Sequence, residues 1–542
     1  MFPYLLVTEK EFLKVFTFGY SYKRYIFAVL WYSVIATGIY FHQYIIPNFG
    51  FVSYHHLNIL VFLVLFIFLT RGLFTHVPNN SVSDQEMDEE FKGKIGLIIA
   101  CHNSQDVLPF TLEAALKHFP AEAIYIADNN KVVPTPNLSK EICEKYGVNY
   151  IFTQVSNKTR ALRNTVKYIN TKYSYLISMD DDTLFPAKFY INEDVFADEK
   201  IGCVGFGIRI KNKQNLIERC VDIEYKLYGY SCFSRNFGSG DFGVGIAYMM
   251  KKDLFTKCID VNPCDGRLPF GEDGIQGVIC RQNGYVVLQD LNNFFLTYCP
   301  DKLFTCGKSA AISGYDAGTL WKQRPLRWYR SGTIRLVLEL STIFTYNAKR
   351  VSDSMMTGLL RNLYYRYWKL LEGLMIFVII SFPFILYDNF TNITISKLEN
   401  FAILYILFPV MLAINMLILK YKFRNKNDLK IDYIMVLVYP LFMKIKFLMN
   451  VFGFFSCLVF FIPFETYFGF YNLKNYTFPK EIVEVKEETI EIVIDIVELD
   501  IVSDNEESNP TFDLKRIQQE IVEELAIELQ ECNYNIDMKV IR

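Results

Sequence analysis

YSYLISMDDDT, residues 173–183, is a hydrophobic strand that runs straight into three aspartates, Asp180, Asp181 and Asp182. An acidic turn after a strand is common. An Asp-x-Asp pair in that position also supplies what a divalent cation needs when it must hold a diphosphate. That requires hard oxygen ligands close together, with positions left open for phosphate and water. Asp180 and Asp182 are the candidate metal ligands, with Asp181 between them. The flanking sequence repeats the pattern: KIGLIIAC (Lys94–Cys101) reads as a buried strand, Val107–His118 as an amphipathic helix, and AIYIADNN (Ala123–Asn130) as a second strand carrying Asp128 at its end. Strand-like and helix-like stretches alternate over 94–300, which predicts a parallel α/β sheet. Ligands of such sheets lie at the carboxyl ends of the strands. Two strands ending there in aspartate are hard to explain as structure alone, because buried carboxylates are costly without partners.

Three further clusters lie outward from this core. Asn157-Lys158-Thr159-Arg160 opens a helix with two cations, suited to phosphate charge near a helix N-terminus. Gly271-Glu272-Asp273 opens another helix. Its acids either complement the helix dipole or include a general base for a hydroxyl. Arg324-Pro325-Leu326-Arg327-Trp328 joins guanidinium groups to a flat indole. The set fits a diphosphate beside a sugar ring, and equally an interfacial helix with a Trp anchor.

Composition sets the surroundings of this block. The chain has 542 residues, too many for one core, with 51% hydrophobic, 16% aromatic and only 21% charged residues. That excludes disorder throughout. The formal net charge of −2 supplies no basic field for nucleic acid, so no nucleic-acid partner is expected. The twelve cysteines form no CxxC pair and ten lie between Cys101 and Cys306, as expected for reduced thiols in a cytosolic domain. MFPYLLVTEKEF has neither a basic n-region nor a cleavage site, so no signal peptide is expected.

Apolar runs place the bilayer. Residues 25–47 and 51–70 lack Asp, Glu, Lys and Arg and are each long enough to span. Residues 373–387 and 401–419 form a second hairpin behind the aromatic collar Tyr364, Tyr365, Tyr367 and Trp368. Lysine and arginine cluster before the first span, before the third and after the fourth, which puts the 71–370 block in the cytosol and the sequons at Asn389 and Asn392 on the other side. Residues 433–443 and 447–464 are split by Lys444 and Lys446, read as one pass plus an interfacial element. In the acidic tail, Ile517, Ile521, Leu525 and Leu529 form one helical stripe that would dock on its own enzyme or on a second copy, making a homo-oligomer one expectation.

In order, ACHNS, Asp128 of ADNN, the Asp-x-Asp of MDDDT, the GED at 271–273 and RPLRW at 324–328 resemble the inverting family 2 glycosyltransferases, especially the membrane-embedded cellulose, chitin and hyaluronan synthases. The resemblance implies a multi-pass α-helical membrane protein with a cytosolic α/β domain of GT-A (Rossmann-like) type, placed in the plasma membrane. It would polymerise a β-linked polysaccharide from a UDP-sugar and pass it through its own channel. It implies Mg2+ or Mn2+ on Asp180 and Asp182, a donor bound by Asp128, Lys158, Arg160, Asp180 and Arg327, Asp273 as base, and Glu272 with Trp328 on the side of the growing polysaccharide. The small-residue stretch Gly238–Ala247 resembles the acceptor-side loop of these enzymes. The first motif departs in being Asp-Asn-Asn, the closing motif in beginning with Arg324 rather than Gln, and no Trp-Gly-Thr-Arg segment is found. The expected division is an N-terminus 1–24, a hairpin 25–70, a linker 71–93, the transferase domain 94–300, interfacial helices 301–370, a membrane region 371–465 and a tail 466–542. Its rivals are a nonprocessive enzyme that glycosylates a lipid, resembling ceramide glucosyltransferase, and a noncatalytic transporter or scaffold.

Overall fold

The computed structural model describes residues 86–130, 138–154, 157–211, 213–235, 246–264, 271–300, 302–304, 319–341, 353–370 and 433–459, with a few single positions besides. The expected spans at 25–47, 51–70, 373–387 and 401–419, the sequon loop and the acidic tail lie outside these residues, isolated positions apart.

After a short helix α1 (Glu89–Gly93), the chain enters β1 (Ile95–Cys101), α2 (Leu108–Ala115), β2 (Ile124–Asp128), α3 (Leu138–Tyr146), β3 (Asn149–Phe152), α4 (Lys158–Val166) and β4 (Tyr175–Asp180). It continues through β5 (Ile201–Ile210), α5 (Leu216–Ser234), β6 (Ala247–Lys251), α6 (Lys252–Val261), α7 (Glu272–Gln282) and β7 (Val286–Thr297). The seven strands form one sheet in the order β3-β2-β1-β4-β6-β5-β7. Every residue of β1 and β2 is buried, as for strands covered on both faces. β1 lies parallel between β2 and β4, with Cys101 opposite Asp128 and Ala100 opposite Asp180, so the two acidic strand ends emerge at one edge.

The sheet is mixed, not parallel as the sequence predicts. β6 runs antiparallel to both β4 and β5. The reason is local. AYMMK is apolar throughout, a pattern that fits either direction, and β6 leads directly into α6, so its exit lies at the edge opposite Asp180.

Beyond the sheet come α8 (Leu320–Gln323), a π-helical turn over Arg324–Tyr329, α9 (Arg330–Ser341), a helix α10 over 355–370, and α11 (Tyr433–Val459). Residues 433–459 form one continuous helix, contrary to the expected break at Lys444 and Lys446. Lys446 Nζ lies 2.7 Å from Glu224 of α5, so its charge is met and the helix continues through it. Met435, Tyr439 and Met449 of α11 join Ile208, Val221 and Tyr225 in a second apolar core. Among the described residues, Leu437–Phe454 is the one helical stretch long and apolar enough to cross a membrane.

α11 approaches the π-helical turn closely at Gly453, where a Cβ would sit 2.7 Å from Tyr329 Cβ and 3.1 Å from the Pro325 carbonyl. Gly453→Val is expected to push the two apart and to cost about 1–3 kcal/mol of stability. Thermal unfolding in lipid checks this, and an unchanged midpoint would contradict the close approach.

Candidate active site

β4 ends at Asp180, whose backbone N–H donates to the Ile246 carbonyl at 3.0 Å, anchoring the acidic turn against β6. α4 starts at Asn157, whose side chain caps the Arg160 N–H at 2.9 Å and donates to the Cys264 carbonyl at 3.0 Å. Lys158 is the first residue of that helix. Its ammonium lies 2.5 Å from Asp180 Oδ1 and 2.7 Å from Glu272 Oε1, joining α4, β4 and α7 at one point. Asn262 donates to the Glu272 carbonyl at 2.8 Å and accepts from the Cys264 N–H at 3.0 Å, so one short segment holds Glu272 and, through the Cys264 carbonyl, the Asn157 cap that precedes Lys158. Asn157 was read as the start of this helix, whereas Asn262 escaped the sequence reading because asparagine in a loop signals only a turn.

Asp180, Asp181, Asp182, Glu272 and Asp273 gather around this single ammonium. Burial would lower the Lys158 pKa, but the charges of Asp180, Glu272 and Asp273 outweigh it and hold the group well above the usual lysine range. Burial, then Glu272, push Asp273 up to about 6 against the pull of Lys158. Asp182 is raised well above the carboxylate range by burial and by the charges of Asp181 and Asp180. Only the long Thr297 and Thr183 hydroxyl contacts, at 3.4 and 3.5 Å, reach its Oδ1. These acids supply hard oxygen donors short of positive charge, the kind a divalent cation takes together with a diphosphate, while among the described residues no three acids, histidines or cysteines converge as a complete metal site.

Asp181, passed over as the residue between two ligands, is instead a clasp. Its Oδ2 accepts from the His102 N–H at 3.1 Å and from the Ser104 hydroxyl, and its carbonyl accepts from Thr111 of α2 at 2.6 Å. It therefore ties the loop after β1 to the acidic turn. Asp128 is fully buried, with one oxygen taken by the Asn130 N–H at 3.0 Å and the other by the Tyr150 hydroxyl at 2.8 Å. Next to it, Asn129 Oδ1 lies 2.5 Å from His102 Nδ1. Arg160 points to solvent.

The closing motif divides. Arg324, one of the two guanidinium groups considered for a diphosphate, is buried, with Nη1 2.5 Å from Glu224 and 3.2 Å from the Tyr329 hydroxyl. Its guanidinium carbon sits 5.1 Å from the centre of the Trp328 ring. It serves as a structural clamp between the π-helical turn and α5, sharing the buried Glu224 carboxylate with Lys446. Trp328 is half-buried and lies 6.3 Å from Tyr225, a residue of α5 whose hydroxyl also feels the charge of Asp182. Nothing in the sequence of α5 marked Tyr225 as a neighbour of the indole. The Arg327 side chain and most of Gly238–Ala247 lie outside the described residues.

Residues 93–322 match the family described as Glycosyltransferase like family 2. The chain is similar to the poly-beta-1,6-N-acetyl-D-glucosamine synthase of Staphylococcus aureus strain MSSA476, 27% identical over 277 residues, covering 49% of this chain and 60% of the relative. The synthase of the same name from Staphylococcus epidermidis is 27% identical over 135 residues, covering 24% and 32%. The chain thus spans about a third to three-fifths of the length of these relatives. Among solved structures, it is similar to the mannosyltransferase PcManGT of Pyrobaculum calidifontis in complex with GDP-Man and Mn2+ (TM-score 0.33, 13% identity, 59% of this chain and 93% of that one). It is also similar to S. aureus TarS (TM-score 0.31, 11% identity, 66% and 54%). The matched residues, 93–322, include all seven strands of the mixed sheet.

Lys158→Met removes the one positive charge that, among the described residues, pairs directly with these acids. At pH 8 the variant is expected to lose about 3 kcal/mol of stability. The stabilisation requires ionised carboxylates, so the deficit should shrink as pH falls through about 6, where Asp273 takes up its proton. Unfolding midpoints at pH 8 and pH 5 test this, and an equal loss at both would contradict it.

Proposed function

We propose that the protein is an inverting, processive glycosyltransferase that polymerises a β-linked polysaccharide from a UDP-sugar on the cytosolic face of the plasma membrane and passes it through a channel of its own helices. The observation that carries the reading is the convergence of Asp180, Glu272 and Asp273 on Lys158 at the carboxyl edge of the sheet. The names of the Staphylococcus relatives favour N-acetylglucosamine as the sugar.

In this reading Asp273 takes the proton of the acceptor hydroxyl, which attacks the anomeric carbon as UDP departs, and one in-line displacement inverts an α-linked donor to a β product. A carboxylate raised to about 6 is a stronger base than an ordinary aspartate and remains ionised at neutral pH. Asp180 and Asp182 would hold Mg2+ or Mn2+, which supplies positive charge to the diphosphate. Lys158, Arg160 and Arg327 add charge on the donor side and Asp128 lies toward the nucleotide base. Glu272 and Trp328 face the growing polysaccharide, the indole offering a flat surface to a sugar ring.

Two outward faces support a seat on lipid. α10 presents Met355, Met356, Leu359, Leu363 and Leu370 to solvent, Met355 being 90% exposed, while the opposite face buries Lys369 and Arg361. α11 leaves Ile434, Leu437, Leu441 and Leu448 exposed along one side. Apolar stripes of this size turned away from a protein core mark a membrane or partner surface.

Asp273→Asn should remain in the membrane and bind UDP while losing at least about 100-fold in transfer. A radiolabelled UDP-N-acetylglucosamine assay with isolated membranes checks it, and retained polymerisation would refute the assignment of the base.

A further inference from the structure

The helix that begins with Glu272 and Asp273 is splinted along its length by α9. At its start, Gly271 adopts φ +91°, and a Cβ there would stand 2.6 Å from Ser331 Cβ. One turn on, a Cβ on Gly274 would stand 3.0 Å from Arg335 Cδ. In the middle, Ile334 and Leu338 of α9 share a core with Ile275, Val278 and Ile279 of α7. In the last turn, Arg281 pairs with Glu339 of α9, the two side chains being 2% and 1% exposed.

Glu339 does not stop at Arg281. Its other oxygen accepts from Lys369 of α10 at 2.6 Å, Lys369 also donates to Glu372 at 2.9 Å, and Glu372 pairs with Arg235 at the end of α5. Charges alternate in sign along a buried row joining the base-bearing helix to α9, to the helix whose other face is apolar and exposed, and to α5. Such a row adds little stability over well-packed apolar side chains of similar volume, but its geometry accepts few alternatives.

We propose that Glu339 is a positioning residue for Asp273: through Arg281 it fixes the axial position of α7, and through Lys369 it ties that position to α10. The proposal rests on the reading of Asp273 as base. Glu339 touches neither donor nor acceptor and acts only through the helix it holds. A shift of about 1 Å at the start of α7 is enough to move a base out of reach of a hydroxyl.

The test uses the full chain in phosphatidylcholine/phosphatidylglycerol nanodiscs with UDP-N-acetylglucosamine and Mn2+. Glu339→Gln should lower kcat at least about tenfold with the donor KM and UDP affinity nearly unchanged. Because that variant leaves Arg281 and Lys369 facing each other with no negative charge between them, a second one, Arg281→Met/Glu339→Leu/Lys369→Met, replaces the row's centre with apolar groups and keeps Glu372 paired with Arg235. It should keep the unfolding midpoint yet show the same loss of kcat. Wild-type turnover in a folded triple variant would overturn the proposal. Hydrogen exchange reads the same claim without turnover. Amides of α7 should exchange at least about tenfold faster in the triple variant while those of β1 and β4 stay as they are. Unchanged α7 amides would also overturn it. A wild-type protein that transfers no sugar, but whose α7 amides respond, would refute the glycosyltransferase reading and leave the positioning role standing.

Discussion

One ammonium among five carboxyl groups is the constraint around which the site is arranged. Lys158 reaches Asp180 at the end of β4 and Glu272 at the start of α7, so a strand and two helices must meet at fixed separation. The acids exceed what one lysine can neutralise, and the surplus is expressed in Asp182 and Asp273, both held above the usual carboxylate range. An excess of this kind costs stability in the free protein and is repaid when a cation and a proton-bearing acceptor arrive. That is a reasonable trade for a catalytic centre and a poor one for a scaffold.

The same logic of paired charge assembles the rest. Glu224 of α5 draws in both Arg324 from the π-helical turn and Lys446 from α11. Arg281, Glu339, Lys369, Glu372 and Arg235 link α7, α9, α10 and α5. In α10 and α11 these polar groups face inward while the outer face leaves large apolar side chains exposed.

Part of this was legible in the sequence. β1, β2 and β4 are uniform apolar runs closed by a turn or an acid, so their place in the sheet and the shared edge of Asp128 and Asp180 follow from residue order. Lys158, Glu272 and Asp273 were flagged because they open helices, where charge has a direct electrostatic effect. Three features escaped. The direction of β6 did, since AYMMK carries no signal of orientation. The role of Asp181 did, since its partners Ser104 and His102 are about eighty residues away. The continuity of α11 did, since Lys446 breaks a hydrophobic run on paper and finds Glu224 in space. Long-range charge pairs leave no periodic trace in a sequence, and they are where the structure adds most.

The central claim is that Asp273 drives a single displacement that inverts the anomeric centre. Proton NMR of the saccharide made from α-linked UDP-N-acetylglucosamine by the lipid-reconstituted protein reports the new linkage through its H1–H2 coupling. A wide coupling, the mark of a β linkage, is the predicted result. A narrow one, showing an α linkage and retention, would contradict the account.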